Sequence, residues 1–332
     1  MSIFRTFLYL LSCILLIACS EQKNQATASY EHAAKGAFAS AISHDGTYSL
    51  ISSIHHGVAL WDNQQQVLKY QWFQQQDQDS LVHTVAISYD NSHAVTAEKT
   101  TFAVWDIATG ANTGYYKIKT ATIRDIAISN QGRSVLYGRS DNVVVYLNLE
   151  TGRRIEFLGH QEKINVVDLA PNGRFALSGS NDYVAYFWDT RTGQVIHRFN
   201  HPNRVTHVTL DPQGRYAFTA DSMAQARVWQ LTTGDLVSKL AYIARQKIFT
   251  TARFNEQGTL LVTGSPNRLV DLWQLSDGEK IQSWHVTPRE GSKPKSAVVL
   301  DVAFTDNGTA LLTESSSGIA ERFTIREQNE HN

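Results

Sequence analysis

Seven times along the chain an apolar side chain stands four residues before a turn-forming position. The pairs are Ile42 and Gly46, Ile87 and Asn91, Ile128 and Gly132, Leu169 and Gly173, Leu210 and Gly214, Phe254 and Gly258, and Phe304 and Gly308. Fourteen or fifteen residues beyond each turn position comes an aromatic: Trp61, Trp105, Tyr146, Trp188, Trp229, Trp273 and Phe323. These aromatics are spaced 44, 41, 42, 41, 44 and 50 residues apart. A second glycine follows most of them (Gly110, Gly152, Gly193, Gly234, Gly278), and short apolar runs such as Val195-Ile196 come after it. Glycine or asparagine at the turn position suits a hairpin residue with positive φ. Each period therefore predicts four short strands separated by tight turns. No helical period of 3.6 runs through the body of the chain.

A repeat of this length, in phase seven times, is the signature of an array of structural units. The dipeptides Trp61-Asp62, Trp105-Asp106 and Trp188-Asp189, with the preceding turns, resemble the WD-repeat family of β-propellers. The resemblance covers residues 30 to 326; Tyr146-Leu147, Trp229-Gln230, Trp273-Gln274 and Phe323-Thr324 depart from the dipeptide. It implies an all-β fold: a seven-bladed β-propeller of WD-repeat type, with four-stranded antiparallel blades. In that family the first strand commonly completes the last blade, which assigns Ala28–His32 (ASYEH) as the outer strand of blade seven. The family also links a His, a Ser or Thr, an Asp and the Trp within a blade. In repeat four those positions are His160, Ser178, Asp182 and Trp188. Repeat three keeps Asp141 beside Tyr146, and the other repeats are expected to lack most of the set. These residues are read as scaffold, not as a catalytic pair.

The amino terminus has a different character. Arg5 precedes a nearly unbroken apolar run, Phe7 to Ala18. A twelve-residue helix spans about 18 Å, too little for a bilayer core of about 30 Å, and the pattern reads as a secretory signal. It ends Leu16-Ile17-Ala18-Cys19, which resembles the bacterial lipoprotein signal. The resemblance implies cleavage before Cys19 and acylation of its thiol, with Ser20 pointing to the outer membrane. Cys13 and Cys19 are the two cysteines of the chain, so no disulfide framework exists in the body. The expected organisation is a cleaved signal peptide (1–18), a lipidated Cys19 with a short tether (19–27), a propeller (28–326) and a polar tail (327–332). Ser20 to Thr27 reach at most about 28 Å, which keeps the body near the membrane.

Composition narrows the function classes. The net charge of −1 offers no basic excess for phosphates, and no nucleic-acid partner is expected. No phosphate loop, nucleophile elbow or zincin pattern occurs. The twelve histidines are scattered, and the one adjacent pair, His55-His56, has no carboxylate at ligand spacing. No metal, cofactor or catalytic residue is therefore assigned. Two connections are long: 72–80, rich in Gln and Asp, and 286–297, with Arg289, Lys293 and Lys295. Both are expected on one face of the ring. Arg124, Lys163 and Arg204 precede their turns by eight to ten residues in three successive repeats, a candidate basic arc at the channel mouth suited to an acidic peptide. These six cations are the candidate partner-binding residues. The expected function is a monomeric, membrane-anchored, non-enzymatic protein-interaction scaffold on the periplasmic side of a bacterial envelope. The alternative is an enzyme or small-ligand sensor with a site at the channel mouth.

Overall fold

The computed structural model describes residues 24–53, 57–74, 81–223, 225–242, 248–293 and 295–326. Within them the strands form seven antiparallel sheets of four. Regular helix among these residues is confined to short 3-10 turns such as Asn130–Gly132 and Asp306–Gly308, and no helix is long and apolar enough to cross a membrane. In blade four the strands run Ile164–Leu169, Phe175–Ser180, Val184–Asp189 and Val195–Asn200, from the inside of the ring outward. Each inner strand touches the inner strand of the next blade, and the seventh, Val299–Thr305, meets the first, Ala39–Ile42. The ring is closed, and the fold is the seven-bladed propeller that the repeats predict.

The turn positions behave as their residue types require. Gly46, Gly132, Gly173, Gly214, Gly258 and Gly308 all have φ between 62° and 88°, and Asn91 has φ 58°. Asparagine replaces glycine in repeat two because it tolerates the left-handed region better than other side chains.

The core is not one mass. Seven apolar clusters occupy the seven junctions between adjacent blades. One joins Leu50, Leu60 and Trp72 of blade one to Val85, Ala94 and Trp105 of blade two. The second strands are sandwiched on both faces: every residue of Ala310–Ser315 is buried. A blade alone would leave these faces wet, which is why the repeats stand together.

Blade seven is closed as expected, by the strand Ala28–Glu31. It pairs antiparallel with Ile319–Thr324, Ala28 opposite Arg322 and Glu31 opposite Ile319. His32, assigned to the same strand, lies just past its end and donates its N–H to the Gly318 carbonyl at 2.9 Å. Gly318 has φ 78°, and a Cβ there would lie 2.0 Å from the Ala33 carbonyl oxygen. Deleting residues 27–34 removes the closing strand and should lower the melting temperature by many degrees in a thermal scan. Gly318→Ala should act in the same direction, costing more than about 1 kcal/mol. An unchanged melting point in either variant would contradict this account of closure.

Candidate functional site

Two surfaces can carry function, the central channel and the face bearing the blade-to-blade connections. The channel is a cavity of about 540 Å³ lined by the inner strands. Its carboxylates Asp125, Asp168 and Asp301 and its Arg253 are committed to neighbouring blades. Asp125 Oδ2 accepts from Val167 N at 2.9 Å, Asp168 Oδ2 from Leu210 N at 2.7 Å, and Asp301 Oδ2 from Ile42 N at 2.7 Å. Thr84 Oγ1 donates to Asp125 Oδ1 at 3.0 Å, and Thr251 Oγ1 to Asp301 Oδ1 at 2.6 Å. Arg253, in blade six, reaches past blade seven to the carbonyls of Ile42 and Ser43, both at 3.0 Å, and holds Asp301 at 3.0 Å. Inner-strand carboxylates thus staple one blade to the next.

The far end of the channel is bridged. Glu256 takes hydrogen bonds from Tyr89 Oη at 3.1 Å and Gln213 Nε2 at 3.1 Å, and lies 3.0 Å from His44 Nε2. Four blades meet on this one carboxylate. Burial and the neighbouring Glu256 push the Tyr89 hydroxyl up to about 12.

The blade-four set comes together only in part. His160 Nδ1 lies 2.9 Å from Asp182 Oδ2, and His160 Nε2 lies 2.9 Å from Ser178 Oγ. The Trp188 indole N–H has no hydrogen-bond partner among the described residues; its ring stacks on Phe157 at 4.7 Å. The chain of bonds therefore stops at Ser178. The expectation that the other repeats lack the set fails in blade five. There Thr219 Oγ1 accepts from Trp229 Nε1 at 2.8 Å and meets His201 Nε2 at 2.8 Å, while His201 Nδ1 lies 3.5 Å from Asp221. His160, Ser178 and Trp188 each recur 41 residues on as His201, Thr219 and Trp229, but the carboxylate comes two residues early, from the strand end instead of the turn. That shift hides the set from a search at fixed spacing.

A second signal was also in the sequence. An aromatic stands eleven residues after the repeat aromatic as Trp72, Phe157, Phe199 and Trp284. Each is the last or next-to-last residue of an outer strand and meets the repeat aromatic of the following blade: Trp72 on Trp105 at 4.8 Å, Phe199 on Trp229 at 4.5 Å, and Trp284 against Phe323 at 6.1 Å.

The candidate cations fall into two groups on one face. Arg124, Lys163 and Arg204 are exposed at or just before the starts of the inner strands of blades three, four and five, and Arg124 borders the channel. Arg289, Lys293 and Lys295 are exposed on the connection between blades six and seven. Residues 75–80 of the other long connection, the His55-His56 pair, Cys13, Cys19 and residues 327–332 lie outside the described residues. No group of three or more His, Cys, Asp or Glu among the described residues is placed to hold a metal.

The sequence profile of a family described as "Eukaryotic translation initiation factor eIF2A" matches residues 61–239, a little over half of the chain. The chain belongs to that family. The matched stretch runs from the third strand of blade one through the outer strand of blade five, so the family match and the WD-type propeller coincide. No curated protein matches the sequence.

Two measurements test the internal network. Thr219→Val orphans two buried groups, the Trp229 N–H and His201 Nε2, whereas Ser178→Ala orphans one. Urea unfolding should show a loss of about 2–4 kcal/mol for the first and about 1–3 kcal/mol for the second. The second measurement concerns pH. Burial pushes the Asp125 and Asp168 carboxyls up to about 6, and the Asp125 charge adds to the effect at Asp168. Such a group binds its proton more tightly when folded. Its stabilising contribution is complete below the ordinary value of 3.8 and is lost as pH rises through 6. Burial, helped by the Arg227 charge, holds His201 down to about 4. Its contribution is complete above 6.5 and is lost as pH falls toward 4. Asp125→Asn removes the Asp125 share of the first kind, leaves that of Asp168, and keeps the second. Between about pH 7 and about pH 5 the variant should lose about 1 kcal/mol relative to the unmodified chain, read as a shift in the difference of urea midpoints.

Proposed function

We propose that the chain is a membrane-anchored, non-enzymatic interaction scaffold of the bacterial envelope, facing the periplasm and held by an acylated Cys19. One contrast carries the binding part of this reading. The channel charges Asp125, Asp168, Asp301 and Arg253 are bonded to neighbouring blades. On the loop face, Arg124, Lys163 and Arg204 make no ion pair among the described residues. Charges bonded between blades hold the ring together, whereas unpaired cations on rigid strand starts are ready for a partner.

The point where the chain enters blade seven and this surface lie on opposite faces of the ring. Ala28 enters blade seven opposite Arg322, near the end of the strand Ile319–Thr324, on the face away from the blade-to-blade connections. A tether leaving from Thr27 toward a lipid would present the loop face to the compartment. The family description refers to translation initiation; the matched residues are propeller, and we take from the match the scaffold and not that role.

Labelled palmitate should enter the chain expressed in a bacterium with a lipoprotein pathway, and Cys19→Ala should abolish both the label and membrane association. Crosslinking on intact membranes, followed by capture through a carboxy-terminal tag, should return a reproducible protein partner. Absence of label with Cys19 intact would sink the anchor, and absence of any partner would sink the scaffold.

A further inference from the structure

The exposed large apolar side chains are not spread evenly. Those outside the outer strands, among the described residues, are Phe38, Phe73, Leu81, Leu158, Tyr183 and Met223. All six lie at strand starts or connections on the loop face. The opposite face, made of the turns that carry Asp45, Asp90, Asp106, Asp235 and Glu256, shows none. The disc is polarised in its exposed apolar side chains, which stand on the loop face, while the opposite face mixes those acids with Arg133, Arg153, Arg174 and Arg191.

Blades three to five concentrate this polarity. Leu158, in the connection from blade three to blade four, is 71% exposed; Tyr183, in the middle turn of blade four, 52%; Met223, in the middle turn of blade five, 50%. Inside this apolar arc, nearer the channel, run Arg124, Lys163 and Arg204. Tyr183 also has φ 70°. The corresponding turn is occupied by Gly57, Asn142 and Gly318 in blades one, three and seven, all with positive φ, and by Arg268 in blade six. A bulky aromatic in this region costs on the order of 1 kcal/mol. Its ring makes no ring contact among the described residues that would offset that cost. Strain spent on displaying an aromatic to solvent marks a surface shaped for something outside the chain.

We infer that blades three to five form a docking strip for an extended acidic peptide segment with interspersed apolar side chains. The partner's carboxylates meet Arg124, Lys163 and Arg204 on the channel side, and its apolar residues cover Leu158, Tyr183 and Met223. This rests on the scaffold reading above and gives it a face, a set of blades and a partner chemistry. An anionic lipid surface would answer to the same charge and apolarity. The peptide is favoured because the chain enters blade seven on the opposite face, so the strip faces away from the membrane that a Cys19 anchor would occupy.

The test is to pan a library of short random peptides on the full chain and measure the selected peptides by fluorescence anisotropy. Enriched peptides should be rich in Asp and Glu with at least one large apolar residue, and should bind more weakly as salt rises. The combined variant Arg124→Glu, Lys163→Glu, Arg204→Glu should lower their affinity at least about tenfold. Tyr183→Gly should lower it several-fold while the melting temperature stays level or rises, which separates binding from folding. Peptides without an acidic excess, acidic peptides bound equally by both variants, or no enrichment would each overturn the strip. Binding to phosphatidylglycerol vesicles that is lost in the charge-reversed variant, without peptide selection, would overturn it in favour of lipid. A membrane crosslinking partner retained by the charge-reversed variant would remove the strip and leave the scaffold standing.

Discussion

A four-stranded sheet with apolar residues on both faces cannot hide them by itself, and every other feature of this molecule follows from the need to cover them. Each blade covers its neighbour, so the structural unit is the junction and not the blade. The apolar clusters lie there, and so do the aromatic pairs Trp72 on Trp105, Phe157 on Trp188 and Phe199 on Trp229. Stacked rings at 4.5 to 4.8 Å bury much area and also fix the angle at which one blade meets the next.

The last junction is built differently. Between blades seven and one the apolar cluster shrinks to Ile42, Ala303, Leu312 and Ala320, with Tyr30 against it. Polar bonds replace what is missing: His32 Nδ1 lies 2.7 Å from Glu314 Oε1 with both side chains buried, Asp301 holds the Ile42 N–H, and Arg253 spans from blade six. Buried polar pairs contribute less to stability than apolar contact but demand one geometry. The two ends of the chain meet inside blade seven, where Ala28–Glu31 pairs with Ile319–Thr324 and must find its register without a connecting loop. Directional bonds supply that register.

The same logic separates scaffold from surface. Asp125 and Asp168 each accept a backbone N–H from the adjoining blade, and burial in that dry setting raises both carboxyls. Membership of the eIF2A family and the propeller agree on architecture. What the ring displays differs between its two faces.

The repeat number, the strand order and the closing strand were legible because they depend on local rules: glycine or asparagine where φ must be positive, an aromatic at a fixed distance, apolar residues alternating within short strands. The partial set His160, Ser178 and Asp182 was legible for the same reason. The set in blade five escaped because Asp221 reaches His201 from a different position in its strand, a distance in space that spacing along the chain does not encode. The inter-blade bonds of Asp125, Asp168 and Asp301 escaped likewise, since each partner lies in another repeat. Local sequence fixes what a blade is. Only the closed ring decides which charges are consumed between blades and which remain on a face, because that depends on neighbours some forty residues away.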